Sequence, residues 1–376
     1  MDFDLTDEQR LLGESVTRFV ADRYDFEGRR QRIATAPGWS REIWREMAEL
    51  GLMAMPFAEQ NGGFGGGGVE TMLVMEALGR GLVVEPYLPS ILLAGGVLRH
   101  AGSADQKAAR IPSLASGERI MALAHSEPDA PRHTLDALHT RARRDGGGWR
   151  LDGAKIAVIA GDSADELVVS ARTDAGTSLF LVDRRSPGIT VSEQRGYDGV
   201  RVAALRLDGV RVAADALVGS DGRGANTLSA VFDEANAALC AEAVGIMART
   251  LEMTTEYLKT RQQFGVAIGS FQALQHRAVD MLMQLELARS MATLAALSLD
   301  KPAEQRRRNV AAAKAQIGRA GRFIGQQAVQ LHGAIGVTAE YEVGHAFKRL
   351  TAIDTLFGDA DYQLDYLAEA GGLTVA

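Results

Sequence analysis

Apolar residues in this chain follow two rhythms, and the change between them divides it into three parts. Near the start, Leu11, Val16, Phe19 and Val20 recur at helical spacing behind Thr6, a hydroxyl residue suited to cap a first turn, with Glu8 close by. A second helical run, Ile43, Trp44, Met47 and Leu50, follows Trp39-Ser40, and a third carries Met72, Leu73, Met75 and Leu78. From about residue 121 the apolar runs shorten. Segments 140–143 and 149–153 flank Asp145-Gly146-Gly147-Gly148 as strand, turn, strand, and 166–171, 179–182 and 204–207 read as further short strands. No helical run separates them, which predicts an antiparallel sandwich or barrel rather than a parallel sheet. After residue 228 helical spacing returns as a broad stripe, Leu228, Val231, Phe232, Leu239, Val244, Met247, Leu251 and Leu258, with a second apolar segment over 273–297. Lys314, Arg319 and Arg322 lie on a third long helix and read as its solvated face. The expectation is an α+β chain: an N-terminal helical domain over 1–120, a middle antiparallel β domain over 121–225, and a C-terminal four-helix bundle over 226–376.

Composition narrows the function classes. At 376 residues the chain is long enough for two or three domains, and 46% apolar with 24% charged residues is ordinary for a globular protein. No apolar run approaches the roughly 20 residues of a membrane span. The start, Met1-Asp2-Phe3-Asp4-Leu5-Thr6-Asp7-Glu8, is acidic and carries neither a secretory signal nor an Arg-rich transit pattern. A single cysteine, Cys240, excludes an internal disulfide and fits a reducing, cytoplasmic setting. A net charge of −7 without a basic, aromatic-interleaved stripe argues against a nucleic-acid partner. His125, His133 and His139 lack ligand spacing, so no metal site is expected. Gly63, Gly65 and Gly68 match G-x-G-x-x-G, but no strand–turn–helix unit surrounds them, and the stretch reads as a structural loop.

Two polar breaks interrupt the helical C-terminal half. The first runs from Arg261-Gln262-Gln263-Phe264-Gly265 to Gln272 and reads as a tight, Gly-bearing link in a helical hairpin. The second is Gln330-Leu331-His332-Gly333-Ala334-Ile335-Gly336. Together, with Glu340-Tyr341 beyond, these motifs resemble the acyl-CoA dehydrogenase family of flavoproteins, and the resemblance extends over nearly the whole chain. It implies a helix, β, helix subunit whose corners reach a neighbouring subunit's FAD: Arg261 on the pyrophosphate, with Phe264, Gln272, Gln330 and Gly333 beside it. A planar guanidinium suits that role because it meets phosphate bidentately and stays charged. The family's flavin-facing loop survives in part as Ser126-Glu127-Pro128-Asp129-Ala130, where the Ser126 hydroxyl can face the ring edge. Its Trp and Thr contacts on the next strand are here Ala157 and Ile159.

The resemblance implies α,β-desaturation of an acyl-CoA thioester, with hydride passing to flavin N5 and electrons leaving to an electron-accepting flavoprotein. That chemistry needs a carboxylate base in a dry cleft. Ungapped counting places Phe357, in Leu356-Phe357-Gly358-Asp359, where the usual Glu stands. A minority of the family carries the Glu about 26 residues before the corner Arg, which lands here on Ala235, with Glu234 adjacent. Glu234 and Asp359 are thus the candidate catalytic carboxylates, and each also has a bland reading: an exposed helix acid and an N-cap of the last helix. Asn236 replaces a substrate-side Arg common in the family. Three readings follow: an active FAD-dependent dehydrogenase; a subunit completing a partner's FAD site in a homo- or hetero-oligomer; or a related flavin oxidase or monooxygenase. The short length and the Leu-Phe-Gly-Asp ending most resemble small subunits of paired bacterial acyl-CoA dehydrogenases, the pimeloyl-CoA type included.

Overall fold

The structure is a computed structural model and describes residues 5–371. Its helices are α1 (Asp7–Arg23), α2 (Phe26–Ala34), α3 (Arg41–Glu49), α4 (Gly68–Arg80), α5 (Gly95–Ala101), α6 (Ala104–Ala115), α7 (Gly224–Thr260), α8 (Gln272–Leu297), α9 (Ala303–His332), α10 (Glu342–Thr355) and α11 (Ala360–Glu369). Eight strands build one sheet: β1 (Met121–Ala124), β2 (Arg141–Asp145), β3 (Gly148–Ile159), β4 (Glu166–Thr173), β5 (Gly176–Asp183), β6 (Ile189–Arg195), β7 (Arg201–Ala213) and β8 (Leu217–Val218). The chain forms two compact units, one of residues 1–29, 67–83 and 236–376, the other of 30–66 and 84–235.

In the helical unit, the Thr6 hydroxyl accepts from Gln9 N while the Gln9 side chain accepts from Thr6 N. This capping box satisfies donors at the first turn of α1, with Gln9 rather than Glu8 as the partner. Helices α4 and α7 cross where both are bare: a Cβ on Gly79 would strike the Glu242 carbonyl, and one on Gly245 the Glu76 carbonyl. Beside that crossing, Arg349 of α10 clamps Glu242 of α7 at 2.6 and 3.0 Å, a buried pair whose two N–H bonds match a carboxylate. Helix α9 buries Val310, Ala313, Ile317, Gly321 and Ile324 along one stripe. Lys314 lies on that stripe and is fully buried, contrary to the solvated face expected for it. Arg319 is exposed, and Arg322 pairs with Asp354 at 2.8 Å.

In the sheet unit, strand order is β6-β7-β3-β2-β4-β5-β8, with β1 also on β4. The pairs are antiparallel except β1–β4 and β2–β4, which are parallel. The long connection over 125–140 carries the chain from β1 to β2, both of which pair with β4. Strands β4 and β5 are buried along nearly their whole length. Near the edge, β3 shifts register against β7 between Lys155 and Val158, and Ala157 and Ala160 both take positive φ there (51° and 56°). The glycine cluster over 62–68 has no preceding strand, so it is a loop, not a nucleotide fingerprint.

Candidate functional site

The first polar corner is a miniature hairpin rather than a plain helical link. Strands β9 (Gln262–Gln263) and β10 (Val266–Ala267) pair around Phe264 and Gly265, whose φ values of 54° and 80° are those of a two-residue primed turn. Arg261 N bonds to Tyr257 O and its carbonyl accepts from Ile268 N, both at 2.8 Å, so the backbone is fixed at both shoulders. Phe264 is 91% exposed and meets Phe271 edge-on. At the second corner, buried His332 donates from Nδ1 to Ala328 O at 2.8 Å and stacks on Tyr257 at 4.5 Å. Tyr257 precedes Arg261 by one helical turn, so this stack sets the two corners side by side. The Nε2 of His332 is buried without a partner, and burial lowers the ring's pKa. Gly333 (φ 65°) has open space where a side chain would stand. The side chains of Arg261, Gln272 and Gln330 are exposed and have no intramolecular hydrogen bond or ion pair among the described residues.

The turn between α10 and α11 is built differently, from the inside. Lys314 Nζ donates to the carbonyls of Asp354, Leu356 and Gly358 at 2.9, 3.0 and 2.9 Å. Gln363 Nε2 reaches the carbonyls of Phe357 and Gly358, both at 3.2 Å, and Asn236 Nδ2 donates to Phe357 O at 3.3 Å. These contacts hold Phe357 at φ 53°, a left-handed conformation that costs a non-Gly residue about 1–2 kcal/mol. Asn236 Oδ1 is buried with no partner. Burial lowers the Lys314 pKa to about 8, against the pull of Cys240 and Asp354.

Neither candidate carboxylate is idle. Asp359 caps α11, its Oδ1 accepting from Tyr362 N at 2.9 Å. Glu234 is ion-paired with Arg99 and, at 2.8 Å, with His100.

In the sheet unit, Ser126 is exposed and its hydroxyl has no partner among the described residues, while His125 and Glu127 on either side are buried. Lys155 Nζ, also fully buried, donates to His125 O (3.0 Å), Glu127 Oε1 (2.7 Å) and Ser170 Oγ (3.0 Å). Glu127 accepts in addition from His139 N (2.5 Å) and Thr140 N (3.1 Å). His125 Nε2 meets Thr134 O at 2.7 Å, which assigns the ring proton to Nε2 and leaves Nδ1 to accept from Ser170 at 2.9 Å. Burial, then the Lys155 charge, lowers the His125 pKa to about 4. Burial likewise lowers Lys155 to about 8, although Glu127 opposes the shift.

The sequence reading missed both buried lysines, yet each has a signal. Lys155 shares the inward parity of Trp149 and Leu151 on β3, and Lys314 falls four residues after Val310 on the apolar stripe of α9.

FAD joins two ring systems through a pyrophosphate, so a fitting site offers an unpaired cation, free amides and bare backbone in one place. The paired corners supply these as Arg261, Gln272, Gln330 and Gly333. The β3 segment that the resemblance sets against the ring fits less fully, because Ala157 and Ile159 offer neither an aromatic face nor a hydroxyl. Among the described residues no group of His, Cys, Asp and Glu could hold a metal ion, and no helix is long and apolar enough to cross a membrane.

Comparison with known proteins agrees with this layout. Family models match in three consecutive blocks: acyl-CoA dehydrogenase N-terminal domain over 6–118, middle domain over 122–210 and C-terminal domain over 222–372. The chain is 31% identical to acyl-CoA dehydrogenase FadE27 of Mycobacterium tuberculosis, across 97% of both chains. It superposes on a chain of the ChsE4-ChsE5 complex from Mycobacterium tuberculosis with a TM-score of 0.91, at 31% identity and full coverage of both. Its similarity to PigA with FAD and proline is comparable, with a TM-score of 0.91 and 30% identity over 99% of this chain and 100% of that one. With all three domain models matched and relatives aligned end to end, the chain belongs to the acyl-CoA dehydrogenase family, whose cofactor is FAD.

Proposed function

We propose that this chain is the base-free subunit of a two-chain, FAD-dependent acyl-CoA dehydrogenase. The observation that carries the reading is the turn at Phe357. A phenyl ring stands where the family's usual Glu would be, on a backbone fixed by Lys314, Gln363 and Asn236. Phe cannot take a proton, and a turn held by three buried side chains does not readily bring Asp359 around in its place. Asp359 already caps a helix, and Glu234 is already engaged by Arg99 and His100. A general base needs a lone pair free to meet the substrate; both Glu234 oxygens are engaged, and Asp359 keeps only Oδ2, on a side chain already committed to a helix cap.

What the chain keeps is binding machinery. Arg261 is placed for a pyrophosphate, Phe264 and Gln272 lie beside it, and Gln330 and Gly333 offer an amide and open backbone. Ser126 offers a hydroxyl to the ring edge. FAD, when bound, supplies the two-electron acceptor for desaturation of an acyl-CoA thioester. Arg261, Gln272 and Gln330 of this chain would reach a neighbouring subunit's FAD, and the partner subunit brings the carboxylate. The resemblance to a chain of the ChsE4-ChsE5 complex supports a second, different chain as partner. Electrons would pass on to a separate flavoprotein or another acceptor.

The test is to purify this chain alone and co-expressed with a family member that carries the turn Glu, then measure native mass and flavin content. The reading expects a mixed oligomer with bound FAD, and Arg261→Ala in this chain lowering flavin occupancy about tenfold, the worth of a charge-assisted bond. A homo-oligomer that is fully active by itself would overturn it.

A further inference from the structure

We propose that Lys155 is a positioning residue for Ser126: from inside the sheet unit it holds the backbone carbonyl before that serine and the carboxylate side chain after it, and so sets where the hydroxyl points. The inference rests on the reading of Ser126 as a flavin-facing hydroxyl. Its geometry is local and complete. Ser126 is the one exposed residue in the run from Met121 to Glu127. The residue before it gives its carbonyl to Lys155 Nζ, and the residue after it gives its carboxylate to the same nitrogen. The carbonyl of Ser126 itself accepts from Ile156 N at 2.8 Å, the peptide immediately beyond Lys155. One residue pair of β3 therefore ties down three consecutive residues of the loop.

The third bond of Lys155, to Ser170 Oγ, links the same ammonium to β4, and Ser170 reaches His125 Nδ1. Glu127 extends the tie forward through His139 N and Thr140 N, where the loop returns to the sheet. A hydroxyl with no partner in its own protein has a defined direction only if its backbone is fixed. Here the buried Lys155 charge does that fixing together with the Ile156 N–H. With the aromatic and hydroxyl contacts of the neighbouring strand replaced by Ala157 and Ile159, Ser126 carries more of the ring-edge contact, and its placement matters correspondingly more.

The experiment is a double-mutant cycle on the FAD-loaded protein, read by the Kd for FAD and by the shape of the bound flavin's visible absorption band. Ser126→Ala is expected to weaken FAD about tenfold, as for one good hydrogen bond, and to change the band. Lys155→Met combined with Glu127→Gln leaves no unpaired buried charge and keeps an acceptor for one of the His139 and Thr140 N–H groups. It is expected to reproduce both effects, and to add nothing when Ser126 is already Ala. Independent, multiplicative losses in Kd would overturn the inference, as would an unchanged flavin band after Lys155 is replaced; the flavin reading would then stand without it. If Ser126→Ala leaves Kd and band unmoved, the reading of Ser126 falls and the inference with it. Thermal melts of each variant separate a fold defect from a positioning defect, because a merely destabilised protein keeps the native band on the molecules that remain folded.

Discussion

Lys155 in the sheet unit and Lys314 in the helical unit are both closed off from solvent, and each donates to three oxygens, but only Lys155 does so to a carboxylate. Around Lys155 the charge is cancelled by Glu127, and the pair knits a loop whose tip, Ser126, stays exposed. Around Lys314 the donors meet backbone carbonyls at and just beyond the end of α10, where the helix dipole gathers partial negative charge. The first arrangement is strong but brittle, since removing either partner strands the other. The second is softer, since carbonyl dipoles remain tolerable without their cation. One unit thus holds an outward-facing group by an ion pair, and the other holds an inert turn by a cation at a helix terminus.

Lys155→Met in the otherwise unchanged chain should produce the largest effect. It leaves Glu127 buried and unpaired, for a loss of about 4 kcal/mol in unfolding free energy by chemical denaturation. Adding Glu127→Gln should recover much of that loss, and no recovery would mean that the ion pair is not what the loop depends on. Next comes the neighbour of that pair. His125 has its folded-state pKa lowered from an ordinary 6.5 to about 4, so the unfolded chain takes up the proton first. Its contribution is complete above pH 6.5 and is lost as pH falls to 4, about 3 kcal/mol in all. His125→Gln should flatten that part of the acid-unfolding curve.

Lys314→Met should cost less, about 2 kcal/mol, since three carbonyls lose a donor but no charge is stranded. Its folded-state pKa is also lowered, from 10.5 to about 8. The cost of burying that charge is therefore present below pH 8 and fades toward 10.5, so the wild type should gain on Lys314→Met across that window. Phe357→Gly should be the smallest change, under about 1 kcal/mol, because Lys314, Gln363 and Asn236 grip the backbone rather than the ring. A large loss there would move the weight of the turn from Lys314 to the phenyl group.

The helical stripes, the caps at Thr6 and Asp359, and the two polar corners were all legible in the sequence, because each is a local pattern of spacing or side-chain chemistry. The parallel pairing of β1 and β2 with β4 was not, since it depends on how the 125–140 connection returns to the sheet. Lys314 was misjudged because lysine's usual exposure outweighed its position on the apolar stripe. The hairpin at Phe264-Gly265 also escaped: two strand residues on each side are too few to show alternation. For the candidate site, the residue list could be read along the chain. The stack of His332 on Tyr257 that joins the corners, and the engagement of Glu234 by Arg99 and His100, could not, because both link residues far apart in sequence.

Whether this chain can take a proton from its substrate is decided by isotope exchange. The FAD-loaded chain, without a partner, is incubated in deuterated buffer with a set of acyl-CoA esters, and deuterium at the α-carbon is followed by mass spectrometry. Proton exchange reports the base alone, independently of flavin reduction. No uptake above that of the free ester is expected for the wild type, with uptake appearing in Phe357→Glu. Uptake by the wild-type chain, abolished by Asp359→Asn or by Glu234→Gln, would contradict the base-free reading and name the carboxylate responsible.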